Sequence, residues 1–384
     1  MYKIPKFRLP LNGMPYLTFI VLIYIISATM ILPVLPIYIK SFGLSNASVG
    51  YVTSFIAILL LVYTILIRKM IKKVKKLNLI RIGFLGLSIT ILMLTILTNI
   101  KQFLILELFR TFFLVSIYIT IGLFVREYTT IKKIGKTEGL YFSVYNVGYL
   151  IGPLFGGLIA FAYSFNTVFW IMAAMQFLLS LLLFIIPLKE KQVQHKHEFK
   201  FLDYFKNKEL RKLYITTFGM VAWWTMLYTY MPLFANTNGF TEKTIGYALF
   251  APMIALIILE VPIGKLADIH GFRKYISFGF FIMAAVLAFS YFANPIYTIV
   301  IIVIATIGAA FIEPLIEAYF FEEVRTKEKQ NSLYPVYKTS SETSHLIVPL
   351  LYSTILIYFD FKIMFLFVSL FMLFFALISL RLKR

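Results

Sequence analysis

Stretches of apolar residues long enough to cross a lipid bilayer recur along nearly the whole of this 384-residue chain. A helix needs about 20 apolar residues to cross the hydrocarbon core. Apolar residues make up 60% of the chain and charged residues only 14%, whereas about half of a soluble globular chain is apolar. The sequence therefore predicts an all-α membrane protein that crosses the bilayer many times.

Twelve apolar stretches are separated mostly by short connections. We predict membrane-spanning helices near residues 16–39, 46–67, 79–98, 102–126, 137–163, 167–187, 212–235, 243–264, 275–292, 296–322, 331–357 and 362–380. The longest connection, 188–211, is rich in Lys, His and Glu and divides the helices six and six. We expect an N-terminal six-helix bundle over residues 1–190, a cytoplasmic linker over 191–211 and a C-terminal six-helix bundle over 212–384.

Positive charge is concentrated on one side of the predicted membrane. Of the 37 Lys and Arg residues, 31 lie in the termini and in the connections on the same side, and the opposite connections hold only Lys40, Lys101, Lys243 and Lys362. Because basic connections stay in the cytoplasm, we expect both termini and the linker to be cytoplasmic in a multi-pass plasma-membrane protein. The net charge of +20 is then a topology signal and favours the lipid bilayer, not nucleic acid, as partner.

Residue types that carry enzymatic or metal chemistry are sparse. The chain contains no Cys, which excludes disulfides, thiolate metal sites and cysteine nucleophiles. His195 and His197 form a lone His-x-His pair in the linker, and two ligands do not make a zinc site. The sequence lacks the metal-ligand clusters of membrane enzymes. We expect no enzymatic activity, no cofactor and no metal, and we expect a monomer.

The sequence resembles itself without gaps when it is shifted by 196 residues. The shift superimposes Pro36 on Pro232, Gly43 on Gly239, Gly50-Tyr51 on Gly246-Tyr247, Gly83-Phe84 on Gly279-Phe280, Tyr141 on Tyr337 and Pro153 on Pro349. Two six-helix halves of the same orientation follow, related by a pseudo-twofold axis along the membrane normal. In such proteins the substrate site lies near the midplane between the halves, and rocking of the halves gives alternating access.

The turn between predicted helices eight and nine carries a regular pattern of Gly264, Asp268, Gly271, Arg273 and Lys274. Glycine permits a tight turn, and we expect Asp268 to accept hydrogen bonds from the free N–H groups at the start of helix nine. The pattern resembles the Gly-x-Leu-Ala-Asp-x-x-Gly-x-Arg-Lys motif of the major facilitator superfamily, where this turn helps to latch the cytoplasmic gate. The first-half copy departs from the motif, since Arg68, Lys72 and Lys75 replace its first Gly, its Asp and its second Gly.

Predicted helix five carries a glycine-proline pattern formed by Gly148, Gly152, Pro153, Gly156 and Gly157. Glycines at every fourth residue let another helix approach closely, and Pro153 removes a backbone hydrogen bond and favours a bend. The pattern is similar to the Gly-x-x-x-Gly-Pro-x-x-Gly-Gly motif that marks drug–proton antiporters within the same superfamily. This resemblance implies antiport; ordinary small-residue packing is the alternative.

Predicted helix four contains an arginine inside the membrane. Arg110 lies about 12 Å from the outer end of the helix at 1.5 Å per residue, where a charge costs at least ~2.5 kcal/mol. Its position resembles the fourth-helix arginine that is linked to proton transfer in the superfamily, although Leu114 stands where the family has Gly. Glu107, one turn away, is a further proton-coupling candidate or simply the partner of Arg110.

Ionisable residues also lie inside predicted helices ten and eleven. Lys338, Glu342 and His345 share one stripe of helix eleven, with Glu342 close to the midplane. We hypothesise that Glu342 binds the coupling proton and that His345 and Lys338 tune it; a static Lys338–Glu342 pair is the alternative. Glu313 and Glu317, one turn apart on helix ten, either bind a proton or cation or act as gate carboxylates that meet loop lysines.

Glu260, near the end of helix eight, is expected to pair with a nearby cytoplasmic Arg or Lys.

Further side chains are candidates for the wall of a substrate cavity. A roomy cavity with aromatic walls suits lipophilic or cationic compounds. The candidates for such walls are Tyr24, Tyr145, Asn146, Trp224 and Tyr228.

The resemblance covers about residues 15–382 and implies the twelve-helix fold of the major facilitator superfamily and a secondary active transporter. Its ligands are then a small-molecule substrate and protons. Export of small lipophilic or cationic compounds by antiport is favoured by the glycine-proline pattern. Proton-coupled uptake of a sugar, organic acid or peptide is the alternative, and a non-transporting scaffold or receptor with the same fold is a third possibility.

Overall fold

The computed structural model describes residues 14–71, 73–128, 134–185 and 201–383. Within these ranges the chain is helical throughout, without a strand. Lys72 of the first-half turn and both histidines of the His-x-His pair, His195 and His197, lie outside the described residues.

The first repeat of the sequence forms helices that lie between residues 14 and 185. They are α1 (Met14–Thr29), α2 (Leu35–Lys40), α3 (Asn46–Met70), α4 (Lys76–Met93), α5 (Ile100–Tyr128), α6 (Ile134–Ala162) and α7 (Phe165–Ile185). A short helix, α8 (Phe201–Lys206), follows in the connection that was predicted to be a loop.

The second repeat begins at Lys208. Its helices are α9 (Lys208–Thr225), α10 (Met231–Thr237), α11 (Glu242–His270), α12 (Phe272–Ala288), α13 (Pro295–Thr306), α14 (Glu313–Glu323), α15 (Lys327–Tyr358) and α16 (Phe361–Ser379). All-α architecture is thus confirmed for the described chain.

Nine helical stretches of the described chain are long and apolar enough to cross a membrane. They correspond to all or part of α3 to α7, α11, α12, α13 together with α14, and α16. The apolar part of α1 is shorter, and α9 and α15 carry more polar and charged residues. Large apolar side chains such as Trp170 and Phe184 are exposed on these stretches, as expected where lipid takes the place of water. The protein is therefore a multi-pass membrane protein.

Three of the predicted helices are interrupted. A turn separates α1 from α2, the π-helical turn Met226–Tyr230 separates α9 from α10, and the 3₁₀ turn Ile307–Phe311 precedes α14. In each case a proline lies in the first two positions of the following helix. Proline fits there because those positions have no intrahelical acceptor for the missing N–H group. The predicted unbroken helices 16–39, 212–235 and 296–322 were wrong in this respect.

Local structure repeats at the 196-residue offset. Ser45 caps α3 and Thr241 caps α11, each accepting a hydrogen bond from the backbone N–H three residues later. The glycines that precede these caps have φ values of 85° at Gly43 and 77° at Gly239, a region in which a Cβ atom is strained. Equivalent residues therefore build the same connection in both repeats.

Helix pairing repeats as well. The Ser88 hydroxyl of α4 donates to the carbonyl oxygen of Ala173 in α7 at 2.8 Å. The Ser369 hydroxyl of α16 donates to the carbonyl oxygen of Ala284 in α12 at 2.7 Å. Residues 88 and 284, and residues 173 and 369, differ by 196, so the same helix pair forms twice with donor and acceptor exchanged.

The two repeats meet along two helix pairs, α6 with α11 and α3 with α15. A Cβ atom added to Gly246 in α11 would lie 3.0 Å from the carbonyl oxygen of Pro153 in α6. A Cβ atom added to Gly50 in α3 would lie 3.1 Å from the carbonyl oxygen of Pro349 in α15. The two contacts are again equivalent by the 196-residue offset, and glycine is what allows both helix pairs to approach so closely.

Candidate functional site

Contacts between the repeats close the side of the molecule that carries α2 and α10. The Lys40 amine donates to the Thr237 hydroxyl at 2.8 Å, and the Asn46 amide donates to the same hydroxyl at 3.2 Å. The hydroxyls of Tyr51 in α3 and Thr354 in α15 lie 3.3 Å apart. We call this side the closed face and the side with the C-terminus the terminal face.

The glycines of α6 serve two different helices. The face against α1 is formed by Gly148, Gly152 and Gly156. On this face, a Cβ atom at Gly152 would lie 2.7 Å from the carbonyl oxygen of Ile26. On the other face, a Cβ atom at Gly157 would lie 2.8 Å from the Cα atom of Gly246. Three glycines thus pack α6 within its own repeat, whereas Gly157 and Pro153 lie at the interface with the second repeat.

A polar contact crosses between the repeats further from the closed face. The Asn146 side-chain amide in α6 donates to the Glu260 carboxylate in α11 at 3.0 Å. Glu260 lies about 15 Å along α11 from His270, its last residue, at 1.5 Å per residue. At that depth the expected pairing of Glu260 with a basic group at the helix end was wrong, because the carboxylate meets the amide of the facing helix.

Three aromatic rings lie beside this contact. Tyr149 is one helical turn from Asn146 on α6, and its ring centroid is 6.0 Å from that of Tyr228. Tyr228 in turn stacks on Trp224, with centroids 5.4 Å apart and planes at 12°. We call Tyr149, Tyr228 and Trp224 the aromatic group; it joins α6 of the first repeat to α9 and its π-helical turn.

The other two tyrosines predicted to line a cavity differ in their surroundings. Tyr145 on α6 is partly buried. Tyr24 is only 4% exposed and packs edge-on against Phe84 at 5.6 Å between centroids. Tyr24 therefore packs in the core of the first repeat, and its role as a cavity residue stays a prediction.

Glu313, the first residue of α14, is the centre of an acidic cluster. The charges of Glu260, Glu317 and Lys338 all act on its carboxylate. Its own charge acts on the hydroxyls of Tyr149 and Tyr228 in the aromatic group. Three carboxylates and one amine from three helices therefore lie close enough for their charges to interact with Glu313. We call Glu260, Glu313, Glu317 and Lys338 the acidic cluster.

The amine of the acidic cluster is bound to one carboxylate. Lys338 Nζ lies 3.1 Å from Glu317 Oε2, and the Tyr334 hydroxyl donates to the other carboxylate oxygen. Lys338 Nζ also lies 5.1 Å from the centroid of the Tyr334 ring. The alternative of a static Lys338–Glu342 pair was wrong, because the carboxylate bound to Lys338 comes from the neighbouring helix α14 and not from the next turn of α15.

Two predicted coupling residues lie further along α15 towards the closed face. Glu342 is partly buried, and His345 is exposed. Their role in proton coupling stays a prediction.

Arg110 and Glu107 form a buried ion pair within α5. The guanidinium donates to both carboxylate oxygens, at 2.6 and 2.8 Å, and the Thr111 hydroxyl donates to one of them at 3.2 Å. Glu107 is fully buried and Arg110 is 6% exposed. Each charge satisfies the other inside an apolar span, which is the pairing expected for charges at this depth. A proton-transfer role for the pair stays a prediction.

The turn from α11 to α12 has the geometry that its glycine requires. Gly271 joins the helices with φ 92°, and Arg273 and Lys274 follow in the first turn of α12. The N-cap residue of α12 is Gly271, which has no side chain to accept from the free N–H groups, and among the described residues the hydrogen bonds predicted from these groups to Asp268 are not formed. A cleft of about 470 Å³ opens here instead, lined by Ala267, Asp268, Phe272, Ala318, Phe321 and Glu322.

A buried carboxylate at the terminal face was not foreseen from the sequence. Glu209, in the first turn of α9, accepts hydrogen bonds from Lys212 Nζ at 2.5 Å, the Tyr319 hydroxyl at 3.0 Å and the backbone N–H of Lys383 at 3.2 Å. It precedes the apolar part of α9. Burial raises the pKa of this carboxyl, but the hydrogen bonds from Lys212 and Tyr319 outweigh burial and hold the pKa below its ordinary value. Glu209 thus ties α9, α14 and the C-terminal residues together.

Curated relatives match this chain over about two thirds of its length. It is 23% identical to Multidrug resistance protein 2 of Bacillus subtilis over 276 residues, covering 68% of each chain. It is 22% identical to an uncharacterized MFS-type transporter of Methanocaldococcus jannaschii, covering 66% of this chain and 68% of the relative. It is 26% identical to Multidrug resistance protein MdtG of Salmonella choleraesuis, covering 64% of each chain.

Solved structures match over nearly the whole chain. A point mutant of the nucleoside transporter NupG superimposes with a TM-score of 0.77 at 15% identity and covers 97% of this chain and 100% of that structure. A bacterial homologue of the human lysosomal transporter Spinster, in an inward-facing and unoccupied conformation, gives a TM-score of 0.77 at 14% identity, covering 96% of this chain and 95% of that one. At such identities the likeness shows the fold.

The family model of the Major Facilitator Superfamily matches residues 17–241 and again residues 213–384. These two matches together cover both repeats and the interface between them, where the acidic cluster and the aromatic group lie. The chain therefore belongs to the major facilitator superfamily and is a transporter, not an enzyme.

Proposed function

We propose that this transporter exports small lipophilic cations in exchange for protons. We propose twelve spans in two six-helix bundles, residues 1–190 and 212–384, related by a pseudo-twofold axis and joined by the linker 191–211. Both termini lie in the cytoplasm of a monomeric plasma-membrane protein, so the terminal face is cytoplasmic and the closed face is external. The basic connections support this orientation.

The proposed pseudo-twofold axis is supported by contacts that recur with exchanged roles. Gly246 meets Pro153 as Gly50 meets Pro349, and the serine-to-carbonyl bond between α4 and α7 recurs between α16 and α12. When two repeats are related in this way, one can rock against the other, so that a central site opens to one side of the membrane or to the other. With the external face closed, the central site is open to the cytoplasm, which is the state that loads a substrate for export.

The observation that carries the proposed coupling is the acidic cluster beside the aromatic group. Glu313 and Glu317 share the one lysine of the cluster, and Glu317 already holds that lysine. Carboxylates in an apolar interior are costly unless they are neutralised by protons or by a cation. Protons and a cationic substrate therefore compete to neutralise the negative charge of the cluster. This competition is the physical requirement for exchange, because binding of one ligand releases the other.

The position of Glu313 makes it the proposed coupling carboxylate. It begins α14 directly after the 3₁₀ turn, and its side chain is exposed within an apolar span. Lys338 is bound to Glu317 at 3.1 Å. Of the two neighbouring carboxylates, Glu313 is therefore the one that is available to exchange a proton. Glu342, which the sequence analysis proposed as the coupling carboxylate, remains the second candidate.

Two relatives also favour export, since they are multidrug resistance proteins. Uptake of a polar solute remains the rival proposal, because the similar solved structures include a nucleoside transporter and a peptide-binding transporter of the POT family. The aromatic group distinguishes the two: aromatic faces bind organic cations, whereas a polar solute needs many hydrogen-bonding side chains. Charged side chains inside the membrane cost free energy, and a non-transporting scaffold does not require an acidic cluster there.

A test uses purified protein in liposomes that contain a pH-sensitive dye. Addition of tetraphenylphosphonium should move protons in the wild type, and Glu313→Gln should bind the cation but move no protons. The matched control is Asp203→Asn, because Asp203 forms an exposed pair with Lys206 at the surface that contributes little. Unchanged proton movement in Glu313→Gln would reject this carboxylate, and Glu342→Gln would then be tested in the same way. Proton movement only with a sugar, organic acid or peptide would reject export of cations.

A further inference from the structure

Three buried or partly buried carboxylates of the described chain are paired with a basic side chain, and Glu260 differs from them. Glu107 is paired with Arg110, Glu209 with Lys212 and Glu317 with Lys338. Glu260 receives instead a hydrogen bond from the neutral amide of Asn146. A neutral donor satisfies one lone pair of a carboxylate but leaves its negative charge uncompensated.

Glu260 lies where such a charge is expensive. It is partly buried in α11, between the buried apolar residues Leu256 and Ile263, one turn away on either side. An uncompensated charge among apolar side chains inside a membrane marks a functional position. The other charged residues that act on Glu313 include one amine, and that amine is held by Glu317. The charge of Glu260 is therefore left to be neutralised by a proton or by a cation from outside the protein.

The side chains around Glu260 indicate which kind of cation would bind there. Its partner Asn146 is one turn from Tyr149, whose ring begins the aromatic group. Tyr228 and Trp224 stack with their planes only 12° apart, which presents a flat aromatic surface at the same interface. Organic cations bind to such faces, with about 0.5–2 kcal/mol per contact. A rigid aromatic face and a nearby carboxylate that has no amine partner match a monovalent cation that carries flat apolar groups.

We propose that Glu260 is the substrate-binding carboxylate and that Asn146 is its placeholder in the unloaded transporter. This assignment rests on the proposed function and divides its acidic cluster into two roles: Glu260 binds the organic cation, while Glu313 exchanges the proton. An arriving cation replaces the Asn146 amide as the partner of Glu260. Because Asn146 belongs to α6 and Glu260 to α11, that replacement breaks a contact between the repeats and so links substrate binding to their rocking.

The placeholder role predicts opposite effects on cation binding when Glu260 and Asn146 are replaced. Glu260→Gln retains hydrogen bonding but removes the charge, so it should weaken tetraphenylphosphonium binding at least tenfold, measured by calorimetry on the purified protein. It should leave binding of a neutral compound of similar shape, such as triphenylphosphine oxide, unchanged. Asn146→Ala removes the competitor for the carboxylate, so it should strengthen cation binding several-fold. A residue that merely supports the fold would not increase affinity when it is removed.

The matched control is Glu242→Gln, which removes a carboxylate from the same helix at the closed face. It should leave binding of both compounds unchanged. Equal binding of the cation by Glu260→Gln and wild type would overturn the assignment, and so would equal weakening of the cationic and neutral compounds, which indicates a distorted cavity. Failure of the proposed function looks different: the wild type itself would then bind no lipophilic cation.

Discussion

The contact between Gly246 and α6 gives a direct way to shift the conformation of this transporter. In Gly246→Ala the new Cβ atom would lie 3.0 Å from the carbonyl oxygen of Pro153 and 3.1 Å from the Cα atom of Gly157. Ordinary contacts of a Cβ atom begin at 3.4 Å, so the shortfall to the oxygen is 3.4 − 3.0, about 0.4 Å. Both neighbours are backbone atoms, and only a movement of one whole helix relieves the overlap.

The overlap in Gly246→Ala shifts the conformational equilibrium because its free-energy cost differs between the two conformations. Overpacking a well-packed interface costs about 1–3 kcal/mol, and here it acts only while the closed face is closed. Alanine also favours a helix over glycine by about 1 kcal/mol, but this gain is the same in both states and cancels. The equilibrium should therefore shift towards opening of that face by about 5- to 150-fold.

Spin labels can report this shift, because the chain has no cysteine to remove. Ile96 and Phe292 follow α4 and α12 at the closed face and are 71% and 85% exposed, so a label at each should not disturb packing. Gly246→Ala should add a population with a longer distance between these labels. Gly122→Ala is the matched control, since a Cβ atom there meets nothing within 4 Å. An unchanged distance distribution in Gly246→Ala, or an equal shift in both variants, would refute the reasoning.

Three further predictions concern other parts of the molecule. Arg110→Met should destabilise the protein by about 3–5 kcal/mol because it leaves the Glu107 charge buried and unpaired, whereas adding Glu107→Gln should restore most of the melting temperature in detergent; equal melting of the single and double variants would contradict this. The pKa of Glu209 is lowered, so its stabilisation is present above its ordinary pKa and is lost as pH falls through the folded value. Melting curves from about pH 7 to about pH 3 should show a steeper loss in the wild type than in Glu209→Gln, and parallel curves would reject it. Trp224→Ala should weaken lipophilic-cation binding about 2- to 30-fold in calorimetry, and undiminished affinity would remove the stacked face from the binding site.

The helices were predictable from the sequence to a large extent, because a helix that crosses lipid must be apolar over its length and the connections must be polar. The interruptions within these helices were not predictable in the same way. The turn before α2 and the π-helical turn before α10 lie within continuous apolar runs, and their only signals are Pro36 and Pro232, which are also compatible with a bend. The shift of 196 residues would have helped, since the two interruptions occupy equivalent positions in the repeats.

The candidate site was predictable as a set of residue types but not as a set of partners. Spacing along α15 places Lys338 and Glu342 one turn apart, and that local geometry favours their pairing. The partner of Lys338 is Glu317, because packing of α14 against α15 brings a carboxylate from another helix closer. Glu260 was misjudged for the same reason, since Asn146 is 114 positions away in the sequence. Contacts between distant segments depend on how helices pack, and one sequence does not state that.

The meeting of α2 and α10 at the closed face has a practical consequence. Lys40 and Asn46 come from one repeat and Thr237 from the other, so the surface that they form together exists only while the repeats are joined there. An antibody fragment selected against that composite epitope would recognise one conformation and hold it. With the closed face on the outside of the cell, as we propose, such a reagent would arrest the transport cycle without entering the membrane and without competing with any substrate.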